Sequence, residues 1–183
     1  GRVYGIIGME RGQVENICKE YNQCGFVTPA NYNAPGQVVI AGEADITAKA
    51  AAAAKEKGAK IVSKLNVSGP FHTALLKSAS EKLSQELQQL HLHNMNIPVI
   101  TNVTGQEVEN NEDIVPLLIK QVMSPVKWEE TILTLYSKGV DTFIEVGPGK
   151  TLSGFVKRTI KGATILNVEN QKTLEKVIEK LLK

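Results

Sequence analysis

An α/β architecture follows from two observations on this 183-residue chain. Segments with strand-like and helix-like hydrophobic spacing alternate along nearly the whole length. Glycine or proline punctuates most changes from one to the next. The alternation has one rhythm in the first third and another in the rest, which predicts two subdomains, residues 1–65 and 66–183.

Arg2 to Gly8 is a short apolar run closed by glycine and reads as a strand. Glu10 to Gln23 sets Val14, Ile17, Cys18 and Tyr21 at helical spacing and stops at Gly25. Phe26 to Asn33 and Gln37 to Ala41 read as strands joined by Ala34-Pro35-Gly36. In that link proline presets φ and glycine accepts the positive φ that follows. Glu43 to Lys57 is alanine-rich, helical by propensity, and ends at Gly58. Lys60 to Leu65 alternates as a half-buried strand does. The order β-α-β-β-α-β is that of a ferredoxin-like unit.

The second part predicts a parallel α/β sheet of three strands. Thr73 to Leu90 carries Leu76, Ala79, Leu83, Leu87 and Leu90 on one helical face. Ile97 to Val103 is read as a strand despite Pro98, and Glu112 to Met123 as a helix. Ser124-Pro125 is read as the cap and first turn of a helix reaching Ser137. Thr142 to Val146 is an apolar strand ending in Gly147-Pro148-Gly149, followed by a short helix to Ile160. A strand at Thr164 to Val168 and a helix from Thr173 complete the chain. Such a sheet is too small to stand alone, so it is expected to be completed by residues outside this sequence.

Composition narrows the classes of function. With 21 basic against 19 acidic side chains the formal charge is +2, which signals no nucleic-acid partner. No apolar stretch is long enough to span a bilayer and no signal-peptide pattern opens the chain, so no membrane partner and a cytoplasmic location are expected. Cys18 falls on an apolar helix stripe and Cys24 follows the same helix's end, so neither reads as a nucleophile. His91 and His93 lack a carboxylate or cysteine at ligand spacing, and no metal site is expected. Gly147-Pro148-Gly149-Lys150-Thr151 imitates a phosphate loop, but the first glycine of that motif would have to stand at Ile144. A strand-to-helix turn with special backbone angles accounts for these glycines.

Several residues remain as candidates for chemistry. His72 follows Ser68-Gly69-Pro70-Phe71 at a strand-to-helix junction, where an imidazole either projects into a cleft as a proton acceptor or caps a helix at the surface. Gln121 lies four residues from Leu117 and seven from Ile114, on the apolar stripe. An inward amide needs partners; it either orients a catalytic histidine or satisfies backbone groups between helices. Asn31 and Asn33 flank Tyr32 and share one strand face, as ligand-binding amides or as solvated ones. Lys60 either reaches a phosphate or stays solvated. No serine sits in a G-x-S-x-G elbow.

Four segments carry a resemblance. Asn31 to Gly42 (NYNAPGQVVIAG), Gly69-Pro70-Phe71-His72, Ser124-Pro125-Val126-Lys127-Trp128 and Glu145-Val146-Gly147-Pro148-Gly149-Lys150 occur in that order and cover nearly the whole chain. Together they resemble the malonyl-CoA:acyl carrier protein transacylases and the related acyltransferase domains of fatty acid and polyketide synthases. The resemblance implies an α/β-hydrolase-like sheet subdomain, here partial, with the ferredoxin-like unit inserted. It implies a ping-pong transfer of malonyl from coenzyme A to the phosphopantetheine thiol of acyl carrier protein, with no cofactor beyond the thioester substrate itself. It makes His72 the general base and acid and Gln121 the residue whose backbone carbonyl steadies it. Asn31, Asn33 and Lys60 would face coenzyme A or the carrier's prosthetic arm, and Phe71 would crowd out a branched acyl group. The family's elbow serine, its malonyl-pairing arginine and its oxyanion segment would precede Gly1, so the 183-residue chain alone is expected to be inactive. The rival readings are a non-catalytic module that docks a protein through the ferredoxin-like unit, and a hydrolase that uses water as acceptor.

Overall fold

The computed structural model describes residues 1–182. By its contacts the chain forms two compact units, Gly1–Thr131 and the remainder from Ile132.

The first unit begins with β1 (Arg2–Ile7), α1 (Arg11–Tyr21), β2 (Val27–Ala34), β3 (Gln37–Gly42), α2 (Ala44–Glu56) and β4 (Ile61–Lys64). These strands pair antiparallel in the order β4-β1-β3-β2, the arrangement expected of a ferredoxin-like unit. Both helices lie on one face. Ile6, Tyr32, Val38 and Ile40 of the sheet pack there with Val14, Ile17 and Cys18 of α1 and Ile46, Ala50, Ala51 and Ala54 of α2. Apart from Ile46, α2 presents only small alanines on that side. Val3, Ala30, Val39 and Ala41 form a second apolar cluster. Gly36 turns with φ 68°, as the Pro-Gly link requires. Gly42 is needed for a different reason: a Cβ there would run into the backbone carbonyl of Phe26 and the Cα of Val27.

The sheet gains a fifth strand, β5 (Val126–Lys127), parallel to β2 through Asn31↔Val126 and Tyr32↔Lys127. This corrects the expectation of a helix starting at Ser124-Pro125. The helix, α5 (Trp128–Ser137), begins only after the strand pair. The Thr73–Leu90 prediction resolves into a 3-10 turn at Ala74–Leu76 and α3 (Lys77–Leu87). Its expected apolar face is only half-buried at Leu83 and Leu87; Ala79 and Leu90 are exposed, and the buried residue is Ser80. The strand expected at Ile97–Val103 is absent. Pro98 and a turn at residues 102–105 leave only a single bridge, Ile100 with Glu107. α4 (Ile114–Gln121) follows a 3-10 turn at Asn111–Asp113 and tolerates Pro116 because it lies in the first turn.

The second unit holds β6 (Thr142–Val146), α6 (Thr151–Thr159), β7 (Thr164–Val168) and α7 (Gln171–Leu181). β6 and β7 pair in parallel over five residues each, so the sheet here has two strands rather than the expected three. α7 starts two residues earlier than expected because Asn170 caps it, accepting a hydrogen bond from Thr173 N at 3.0 Å. Leu65, the expected end of the first subdomain, closes the β-α-β-β-α-β portion, while the compact unit continues to Thr131.

Candidate active site

His72 and Gln121, 49 positions apart, meet: the His72 ring nitrogen Nδ1 lies 3.1 Å from the Gln121 backbone carbonyl oxygen. Local chemistry fixes each partner. Thr73 is fully buried, donates from Oγ1 to the Pro70 carbonyl at 2.7 Å and accepts from Leu75 N at 3.3 Å. That closes a tight turn around His72, which has φ 61° and is the only non-glycine residue of positive φ among the described residues. The left-handed region is costly for a residue with a Cβ, and such strain gathers at functional positions. On the other side, Gln121 is the last residue of α4, past the helical donors, and its carbonyl accepts only a long main-chain bond from Ser124 N at 3.4 Å, which leaves room for the ring. Ser80 holds the two helices together by donating to the Ile119 carbonyl at 2.9 Å.

A carbonyl oxygen only accepts, so the ring must donate through Nδ1–H. The neutral imidazole then carries its lone pair on Nε2, the nitrogen that can take a proton. Among the described residues no serine or cysteine hydrogen-bonds to this ring. The contact runs through the main chain of Gln121. Residue 121 is half-buried, and the contact does not use an inward-facing side-chain amide.

The other expected site residues distribute unevenly. Phe71 directly precedes His72 and is 46% exposed. Asn31 and Asn33 are half-buried and alternate with Tyr32, whose ring lies in the helix-covered core. Asn31 pairs with Val126, five residues beyond Gln121. Lys60 is exposed and precedes β4 rather than opening it; its stem lies over Gly8 and its carbonyl accepts from Lys55 Nζ at 2.8 Å. Pro70 packs at Gly1, the opposite end of β1, about 20 Å away along the strand. The structure therefore does not bring Lys60 to the His72 turn.

The loop that imitates a phosphate site has its own occupant. The Glu145 carboxylate accepts from Leu152 N (3.1 Å), Ser153 N (2.7 Å) and Ser153 Oγ (2.6 Å), filling the α6 N-terminus with protein charge. Gly147 (φ 143°) and Gly149 (φ 84°) take the backbone angles expected of the turn. His91 and His93 stand edge to face at 5.8 Å. No cluster of three or more potential metal ligands occurs among the described residues.

Sequence reasoning missed Thr73 and Ser80, whose roles depend on tertiary partners. It also missed a charged cluster of Arg11, Glu15, Tyr32, Lys127 and Glu130. Arg11 and Glu15 at i,i+4 spacing was its one visible trace.

A histidine held by a carbonyl at a strained turn, beside a ferredoxin-like sheet, is an arrangement suited to general acid–base chemistry. The chain belongs to the acyl transferase domain family, whose model matches residues 8–179. It is 41% identical over 182 residues to the malonyl CoA-acyl carrier protein transacylase of Bacillus subtilis, covering 99% of this chain and 57% of that protein. The crystal structure of the malonyl CoA-acyl carrier protein transacylase of Clostridium perfringens superposes with a TM-score of 0.94 at 43% identity, covering 99% of this chain and 57% of that one. A malonyl-transacylase solved in complex with a type II polyketide synthase acyl-carrier protein gives a TM-score of 0.94 at 36% identity, covering 98% and 58%. The chain thus spans a little over half the length of these relatives. No helix among the described residues is long and apolar enough to cross a membrane.

Proposed function

We propose that this chain is part of an enzyme that transfers malonyl from malonyl-CoA to the phosphopantetheine thiol of acyl carrier protein in fatty acid biosynthesis. The observation that carries the reading is the 3.1 Å contact between His72 Nδ1 and the Gln121 carbonyl, which frees Nε2 as a base. His72 Nε2 takes the proton of a serine hydroxyl supplied from outside these 183 residues. The serine oxygen then bonds to the thioester carbonyl carbon. Collapse of the tetrahedral adduct breaks the C–S bond, and the imidazolium returns the proton to coenzyme A. The carrier's thiol reverses the sequence and receives the malonyl group. The Gln121 carbonyl keeps the imidazole in the useful tautomer throughout. Phe71, at the mouth of this turn, disfavours a branched acyl group by about 1–3 kcal/mol. Asn31 and Asn33 bind polar groups of the substrate arm; Lys60, at the far end of β1, meets only a distal part of coenzyme A or the carrier. Malonyl-CoA and acyl carrier protein are the partners, the thioester is the only small molecule required, and the location is cytoplasmic.

The test is His72→Ala in the full-length protein with malonyl-CoA and carrier protein. Transfer falls about 10²–10⁴-fold if His72 is the base. Unchanged transfer overturns the reading and favours a docking module. Measuring free malonate alongside separates a hydrolase, which would release it faster than it loads the carrier.

A further inference from the structure

We propose that Arg11 is a positioning residue for the His72–Gln121 pair, clamping Glu130 of α5 to Glu15 of α1 and Tyr32 of β2 and so fixing the segment that follows Gln121. The inference rests on His72 being the base. The place of the Gln121 carbonyl depends on what secures the chain just beyond it. Residues 122–125 lead directly into β5, which is only two residues long and held by two backbone pairings, to Asn31 and Tyr32. A parallel edge that short is marginal by itself. Two main-chain bonds help, Lys127 N to the Asn102 carbonyl at 2.8 Å and a long one from Ser124 N to the Gln121 carbonyl at 3.4 Å.

The side chains supply the rest. Arg11 Nη1 donates to Glu130 Oε1 at 2.8 Å, and the other Glu130 oxygen faces Lys127 Nζ at 3.4 Å. Arg11 is itself held from two further sides by partners that bond to each other. Its Nε donates to Glu15 Oε1 at 3.0 Å, its guanidinium lies 3.8 Å over the Tyr32 ring, and Tyr32 Oη donates to the same Glu15 oxygen at 2.8 Å. Tyr32 is also the β2 residue paired with Lys127, and it stands between Asn31 and Asn33. The contacts therefore close a ring through α1, β2, β5 and α5. An isolated pair at this exposure holds little. A planar fork that engages two carboxylates and stacks on a buried ring holds a defined geometry. Lysine cannot reproduce it.

The experiment uses the full-length protein with Arg11→Met, Arg11→Lys and Glu130→Gln, and His72→Ala in parallel. Arg11→Met lowers kcat on the order of tenfold, as a small misplacement of a catalytic group does, with KM for malonyl-CoA unchanged. It also mixes the His72 ring tautomers in 15N NMR, a change that general loss of stability does not produce. Arg11→Lys recovers only part of the rate. If Arg11→Met does not fold, Glu130→Gln, which weakens the same link and leaves the Arg11–Glu15–Tyr32 contacts, carries the same expectations. Wild-type kcat with an unmixed His72 tautomer overturns the clamp, as does a kcat loss matched by loss of folded protein. A fully active His72→Ala would instead overturn the base assignment, whatever Arg11→Met does.

Discussion

Replacing His72 by alanine and by glycine separates its chemistry from its backbone. At φ 61° a residue with a Cβ sits in the left-handed region, at a penalty of about 1–2 kcal/mol that glycine does not incur. Both substitutions delete the bond to the Gln121 carbonyl, a loss of about 1 kcal/mol. Alanine keeps the strain. Glycine releases it but adds about 0.5–1 kcal/mol of unfolded-state backbone entropy. The glycine variant should therefore be the more stable by about 0.5–1 kcal/mol, or about 1–4 °C in Tm for a chain of this size. Thermal and urea unfolding of both variants, with transfer measured in the full-length protein, gives the comparison. Transfer should be lost equally in the two. An alanine variant as stable as the glycine variant, or more so, refutes the strain argument.

Other perturbations follow from the same contacts. Glu145→Gln removes a carboxylate that accepts three hydrogen bonds at the α6 N-terminus, and urea unfolding should show a loss of about 1 kcal/mol at neutral pH. Partial burial pulls the Glu145 pKa up, but the bonds from Ser153 and Leu152 outweigh it and hold the group below its ordinary 4.5. Its contribution is therefore complete above that value and is lost as the pH falls through the lowered one, so the gap between wild type and Glu145→Gln should close in acid. Gly42→Ala should lower stability by about 1–3 kcal/mol in the same assay, because the new Cβ meets rigid backbone at Phe26 and Val27. A thiol reagent should modify exposed Cys24 in the native protein and spare Cys18. Burial, with Glu15 nearby, pushes the Cys18 thiol up to about 12; two fast-reacting thiols in the folded protein would contradict this.

The β-α-β-β-α-β portion was legible because its signals are local: alternation in Lys60–Leu65, the i, i+3, i+4 spacing of Val14, Ile17 and Cys18, and a Pro35-Gly36 turn. β5 was not, because two residues carry no period and their strand character comes from pairing with Asn31 and Tyr32. Ile97–Val103 misled for the opposite reason. Its β-branched residues look strand-like, but only Ile100 finds a bridge partner, and Ile97 is left 76% exposed. At the site, His72 announced itself by its Gly-Pro-Phe approach. The place of Gln121 on an apolar stripe drew attention to its side chain, whereas the contact runs through its backbone carbonyl, which has no side-chain signature and was implied only by the family resemblance. Lys60 was the weakest expectation, because its place at the far end of β1 depends on strand order rather than spacing.

The central claim is that the Gln121 carbonyl holds His72 in the Nδ1–H form with Nε2 free. Long-range 1H–15N correlation of 15N-histidine-labelled protein, at a pH where the ring is neutral, reads this directly. His72 should show a protonated Nδ1 and an unprotonated Nε2. A ring carrying its proton on Nε2 would contradict it.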